Sequence, residues 1–175
     1  MEAEQNREAG DSRGDEAAVT PSETLSLVVF RLGEQWYALP TAVVKEVAEI
    51  CTIRRIPRRS SAVLLGLINL RGVLHLCVAL DGLLGRSGGA FRPRVRDSST
   101  AERLVVMADE RGRWVFPADE VSGVFPFLPA EIQPIPAGLT EDEALALKGV
   151  VSLRERAVRC IDEKMLFNTL KECIS

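Results

Sequence analysis

The sequence predicts an all-β protein built as two small five-stranded barrels side by side, followed by one C-terminal helix, and three observations carry that prediction. First, short runs rich in Val, Leu, Ile and aromatic residues recur at 25–32, 35–40, 63–70, 73–80, 103–108, 113–117, 147–153 and 157–161, punctuated by Gly33, Gly72, Gly112 and several prolines. Second, the chain repeats itself. Leu27-Val28-Val29-Phe30, a charged turn and Trp36-Tyr37-Ala38-Leu39-Pro40 return as Leu104-Val105-Val106-Met107, a charged turn and Trp114-Val115-Phe116-Pro117. Glu46-Val47 returns as Glu120-Val121, and Gly66-Leu67-Ile68-Asn69-Leu70-Arg71 up to Cys77 returns as Gly149-Val150-Val151-Ser152-Leu153-Arg154 up to Cys160. Third, about five short strands in each copy are too few for a large open sheet, and small, strongly twisted sheets lose their exposed edges by closing into barrels.

The elements follow in order. Residues 1–24 hold seven acids against Arg7 and Arg13 and almost no large apolar side chain, so they read as a solvated, disordered acidic tail. Barrel one is expected at about 25–84 and barrel two at about 102–161, with Pro40 and Pro117 each ending a strand because proline cannot donate to the ladder beyond. The polar, turn-rich stretch 85–101 reads as a linker. A C-terminal helix at 162–173 is expected to start on Asp162 as its cap, with Leu166, Leu170, Cys173 and Ile174 on one face docking on a barrel.

Composition bounds the chemistry. An apolar content of 46% can fill a core, which excludes a wholly disordered chain. The net charge of −3 splits into −5 for residues 1–24 and +2 for the remainder. No secretory signal pattern and no apolar run near the length of a membrane span is present, so a cytoplasmic location is expected. Cys51, Cys77, Cys160 and Cys173 form no paired ligand spacing, and His75 is the only histidine, so neither a metal nor a cofactor is expected. His75 and Cys77 share a strand face without the geometry of a base and its nucleophile, and nucleotide-binding and metalloprotease motifs are missing. The chain therefore reads as a non-enzyme.

The arginines carry more information. There are 18 Arg and 4 Lys, with Arg54, Arg55, Arg58, Arg59 and Arg71 falling between Ile50 and Leu80 without an acid, and Arg92, Arg94 and Arg96 in the linker. One reading is a nucleic-acid-binding double barrel using the segments 54–59 and 92–96. Against it stand the small net charge of the folded part and the single tyrosine, so a solvated arginine face, or a surface for acidic partner proteins, is the better reading and no nucleic acid is expected. Arg71 sits in Asn69-Leu70-Arg71-Gly72 at a strand end, where it reads equally as an ordinary turn arginine or as a fixed guanidinium suited to recognition of a carboxylate or of helix-end carbonyls.

Taken together, Phe30-Arg31-Leu32-Gly33, Trp36-Tyr37-Ala38-Leu39-Pro40, Val44-Lys45-Glu46-Val47, Ile56-Pro57 and Leu65-Gly66-Leu67-Ile68-Asn69-Leu70-Arg71-Gly72 resemble the CheW-like adaptor family of bacterial chemosensory signalling. The second half matches through Phe116 to Val121, Ile135-Pro136 and Lys148-Gly149-Val150, so the resemblance spans essentially residues 25–172. It implies two SH3-like barrels with a groove between them. It also implies an adaptor coupling a methyl-accepting chemotaxis receptor to a CheA-type histidine kinase, recruited to receptor arrays at the inner membrane through the receptor alone, beside other CheW-like adaptors. The family's receptor-contacting positions fall on Val44, Glu46, Gly66, Asn69 and Arg71; no kinase-contacting position is carried over. Where most members continue with a proline and then Asp-Leu-Arg, this chain has Leu76 and then Ala79-Leu80-Asp81. The Leu76 to Leu80 and Cys160 to Glu163 variants are similar to the second adaptor of Wsp-type surface-sensing systems, whose output is a diguanylate cyclase response regulator controlling cyclic-di-GMP.

Overall fold

The computed structural model describes residues 23–57, 63–84, 102–110 and 112–174. The expected acidic tail, apart from Glu23 and Thr24, and the whole expected linker lie outside the described residues. The strands are β1 (Leu25–Leu32), β2 (Gln35–Pro40), β3 (Val44–Glu49), β4 (Leu64–Leu70), β5 (Val73–Val78), β6 (Arg103–Asp109), β7 (Gly112–Ala118), β8 (Glu120–Phe127), β9 (Leu147–Leu153) and β10 (Arg156–Ile161). Helices α1 (Leu80–Leu83), α2 (Glu141–Leu145) and α3 (Glu163–Ile174) complete the fold with a 3₁₀ turn at Pro129–Glu131. Strands β3 and β8 were not among the apolar runs: they lie at sheet edges and expose every second residue along most of their length, which dilutes the apolar signal. Pro40 closes β2 as expected, whereas β7 runs one residue beyond Pro117.

The two five-stranded sheets run β8-β1-β2-β10-β9 and β3-β6-β7-β5-β4; we refer to them as barrels A and B. This corrects the expected division at 25–84 and 102–161. Strands β1 to β5 belong to the first copy of the repeat and β6 to β10 to the second. Each barrel therefore takes three strands from one copy and two of its three interior strands from the other. The exchange is made at two parallel junctions, Trp36 beside Val158 with Ala38 beside Cys160, and Leu76 beside Trp114 with Cys77 beside Val115.

The physical reason lies in the four exchanged strands. Their alternate side chains are buried on both faces, one face inside a barrel and the other between the barrels. Leu27, Val29 and Ala38 fill barrel A with Val151, Val158 and Cys160. Leu104, Val106 and Val115 fill barrel B with Ile68 and Cys77. The intervening Phe30, Tyr37, Leu39, Val105, Met107 and Phe116 form the largest cluster, between the barrels, where Phe30 and Phe116 meet at 5.1 Å in a tilted pair. A strand wetted on one face alternates polar and apolar residues; these read as continuous apolar runs because neither face is wet. At one rim the exchanged β1–β2 turn is tied to the second copy, with Gly33 N–H donating to Asp119 Oδ2 at 2.6 Å and Asp119 N–H donating to the Arg31 carbonyl at 3.0 Å.

Both barrels close in the same way. The chain after β3 lies against β4, Arg54 and Leu67 exchanging two backbone hydrogen bonds of 2.8 and 2.7 Å. The chain after β8 lies against β9, Gln133 and Val150 exchanging two of 2.8 and 2.9 Å. Closure demands a glycine each time: a Cβ on Gly66 would stand 2.2 Å from the Arg54 oxygen, and one on Gly149 2.4 Å from that of Gln133. Helix α3 starts as expected, Asp162 Oδ1 accepting from Lys164 and Met165 N–H. It buries Leu166, Phe167 and Leu170 in the central cluster shared by both barrels, while Cys173 of the expected stripe is exposed.

Candidate functional site

Of the five positions expected to face a receptor, four fall into two groups in the structure. Val44 and Glu46 lie on β3, the edge strand of barrel B, at the half-buried positions of its alternation, with a β-bulge between them. Asn69 and Arg71 lie at the tip of the β4–β5 hairpin. Leu70 pairs with Val73, so Arg71 and Gly72 form a two-residue turn, and both have positive φ, 53° and 86°. Asn69 holds that turn, its Oδ1 accepting from Gly72 N–H at 2.8 Å. Arg71 Nη2 lies 2.5 Å from Glu46 Oε1, joining the hairpin to β3.

The exposure of this pair is unequal. The Arg71 side chain is 82% accessible and that of Glu46 is 32%. Such an ion pair adds little to stability, about 1 kcal/mol at most, yet it fixes the direction of an otherwise free guanidinium with further donors to offer. Val73 and Leu74, immediately after the turn, are exposed apolar residues, and Val47 is exposed on the face of β3 opposite Glu46. Gly66 belongs to a different role. It is buried, with φ near 149°, beneath the Arg54 carbonyl, so it holds the barrel shut beside the pair instead of presenting a contact.

The remaining candidates do not assemble into a catalytic centre among the described residues. His75 is half-buried opposite Ile68, and Cys77 points into barrel B, where burial, with a smaller contribution from Cys51, pushes its thiol up to about 12 against a weaker lowering by a backbone hydrogen bond at Val78. Burial pushes Cys160 up to about 11, opposed by Lys148 and a backbone hydrogen bond at Val151. Both are inert thiols at neutral pH. No group of three His, Cys, Asp or Glu among the described residues could hold a metal ion, and no described helix is long and apolar enough to cross a membrane. Of the arginines proposed for nucleic acid, Arg58, Arg59, Arg92, Arg94 and Arg96 lie outside the described residues, and the single tyrosine, Tyr37, is 1% exposed.

The sequence reading missed Arg154 and Arg156, which lie over the rings of Phe125 and Trp36 at 5.6 and 5.1 Å. The repeat held a signal for the first, since Arg154 falls where Arg71 does.

Comparisons with known proteins agree with this geometry. The family model described as CheW-like domain matches residues 26–171. A probable chemotaxis protein CheW from Rhizobium etli is 27% identical over 143 residues, covering 81% of this chain and 86% of the relative. The crystal structure of the scaffolding protein TtCheW from Thermoanaerobacter tengcongensis superimposes with a TM-score of 0.64 at 26% identity, covering 79% of this chain and 84% of the other.

Proposed function

The chain belongs to the CheW-like domain family, a family of non-catalytic chemotaxis scaffolds, and on that premise we propose that it couples a methyl-accepting chemoreceptor to a CheA-type histidine kinase. The observation that carries this reading is the exposed Arg71 guanidinium, held on a two-residue turn by Asn69 and aimed by Glu46. Val44, Glu46, Asn69 and Arg71 form the receptor-facing surface, with Gly66 supporting it from below. A helical receptor tip suits such a surface: exposed Val73 and Leu74 offer apolar contact, and one fixed guanidinium meets a carboxylate or helix-end carbonyls. The charged pair sets orientation more than affinity.

The kinase and further CheW-like adaptors are proposed as the other partners, and the array at the inner membrane as the place of assembly. Where most family members have an Asp, this chain has Ala79, 3% exposed at the start of α1, with Asp81 in that helix's first turn. An apolar residue has thus replaced a carboxylate at the point where β5 enters the central core. This departure supports a divergent branch, and we place the chain with the second adaptors of Wsp-type systems that control cyclic-di-GMP. A diguanylate cyclase response regulator encoded beside it supports the placement; a flagellar or pilus output locus there refutes it.

Reconstitution tests the adaptor role. Receptor-dependent autophosphorylation of the cognate kinase is expected to fall at least tenfold with Arg71→Glu in a chain whose melting is unchanged. Unchanged coupling would remove Arg71 from the receptor surface.

A further inference from the structure

The repeat places a second arginine turn on barrel A. Leu153 pairs with Arg156, so Arg154 and Glu155 form a two-residue turn with φ of 49° and 65°, the counterpart of Arg71 and Gly72. In barrel B the turn arginine holds a carboxylate, because Glu46 on β3 reaches it. In barrel A the carboxylate equivalent to Glu46 is Glu120, and it is engaged elsewhere, with Arg31 Nε 3.4 Å from its Oε2. Arg154 instead lies over the Phe125 ring and Arg156 over the Trp36 ring, with no carboxylate partner among the described residues. The two guanidiniums, Trp36, Ser122 and Leu153 line a small cavity of about 50 Å³ at the open end of the barrel.

We infer that this end of barrel A is a second docking site, for an acidic peptide segment of a partner protein, with Arg154 and Arg156 as its carboxylate clamp. Three properties select that partner. Two guanidiniums stand against one turn carboxylate, Glu155, where the repeat has a single arginine already paired with Glu46, so the site keeps a net positive charge. The ring contacts restrain both side chains, which reduces the rotamer freedom lost when a carboxylate arrives. Arg154 and Arg156 are both exposed residues, so their donors are accessible to a ligand. The site is on the opposite barrel from Arg71 and does not depend on the receptor reading. An adaptor with one arginine turn on each barrel has two separately addressable polar anchors.

Indole N–H resonances of the full chain test the inference directly, with the Trp36 signal identified by Trp36→Phe. A synthetic peptide carrying three consecutive glutamates is expected to shift the Trp36 resonance saturably, and to lose that effect as salt is raised to about 0.5 M, where exposed charges are screened. The same peptide with glutamines should not shift it. Arg154→Gln with Arg156→Gln is expected to weaken binding at least tenfold, Arg154→Lys with Arg156→Lys less, and Arg71→Glu not at all. Equal binding of the glutamine peptide, retention of binding by the double Gln variant, or a Trp36 resonance unmoved at millimolar peptide would each overturn the site.

Discussion

Barrels A and B share one strand order and one closing device and differ in what their turn arginines meet. In B, the arginine is paired in cis with Glu46; in A, the equivalent carboxylate is drawn to Arg31 at the rim, and two arginines lie on aromatic rings. The difference is local, made by a few side chains on a duplicated scaffold with the same strand order and the same closing contacts in both barrels. The lesson is that duplication with strand exchange yields two similar surfaces that can be given separate partners without disturbing the core between them. Breaking the shared scaffold should cost the most, and changing the side chains that distinguish the barrels should cost little stability.

The largest effects are expected at the closing glycines. Gly66→Val combines a clash with the Arg54 backbone and a φ of 149°, so it should abolish folding. Gly149→Ala meets the Gln133 oxygen without the same backbone strain, and equilibrium denaturation should show a smaller loss. Gly72→Ala, with nothing within 4 Å of its Cβ, should cost about 1 kcal/mol from its positive φ alone. Equal effects at 66 and 72 would contradict the closure role.

Next comes the core between the barrels. Phe116→Ala removes the ring against Phe30 and is expected to cost about 3–5 kcal/mol by denaturant titration. Because the exchanged strands tie both barrels to this cluster, unfolding should remain a single transition. Two separated transitions would show barrels that fold independently.

Alkaline unfolding is a smaller and graded effect. Cys77 and Cys160 are raised to about 12 and about 11 from 9.0, so above about pH 9 the unfolded chain releases protons that the folded chain keeps. Their contribution is fully present below about pH 9 and is lost as pH rises toward 12, each at up to about 1.4 kcal/mol per pH unit. Cys77→Ala should lower stability at pH 7 yet flatten its decline above pH 9; an unchanged slope would mean that the thiol is not held protonated by the fold.

Much of this was legible in the sequence because burial writes a pattern. The continuous runs at Leu27 to Phe30 and Leu104 to Met107 announced strands, and the repeat announced two barrels. That these runs lie between the barrels and cross to the other copy was shown only by the packing and the pairing. The edge strands β3 and β8 were obscured by their exposed residues. Helix α2 left its only signal in Thr140 and Glu143, which cap each other reciprocally in the structure. Arg71 and Glu46 were legible through the family's motif, whereas the rings under Arg154 and Arg156 were not, since Trp36 reaches Arg156 through the β2–β10 pairing across the copies and Phe125 meets Arg154 from β8, a strand that pairs with neither β9 nor β10.

The central claim is that barrel B presents Arg71 to a receptor, with Glu46 as its guide, and a charge exchange tests it most directly. Glu46→Arg combined with Arg71→Glu preserves an ion pair worth about 1 kcal/mol or less, so denaturation should show nearly wild-type stability. Receptor-dependent kinase autophosphorylation should nevertheless stay at least tenfold reduced, as with Arg71→Glu alone, because the guanidinium no longer stands on the turn. Full restoration of coupling by the exchange would contradict the claim, reducing the pair to a strut between β3 and the hairpin.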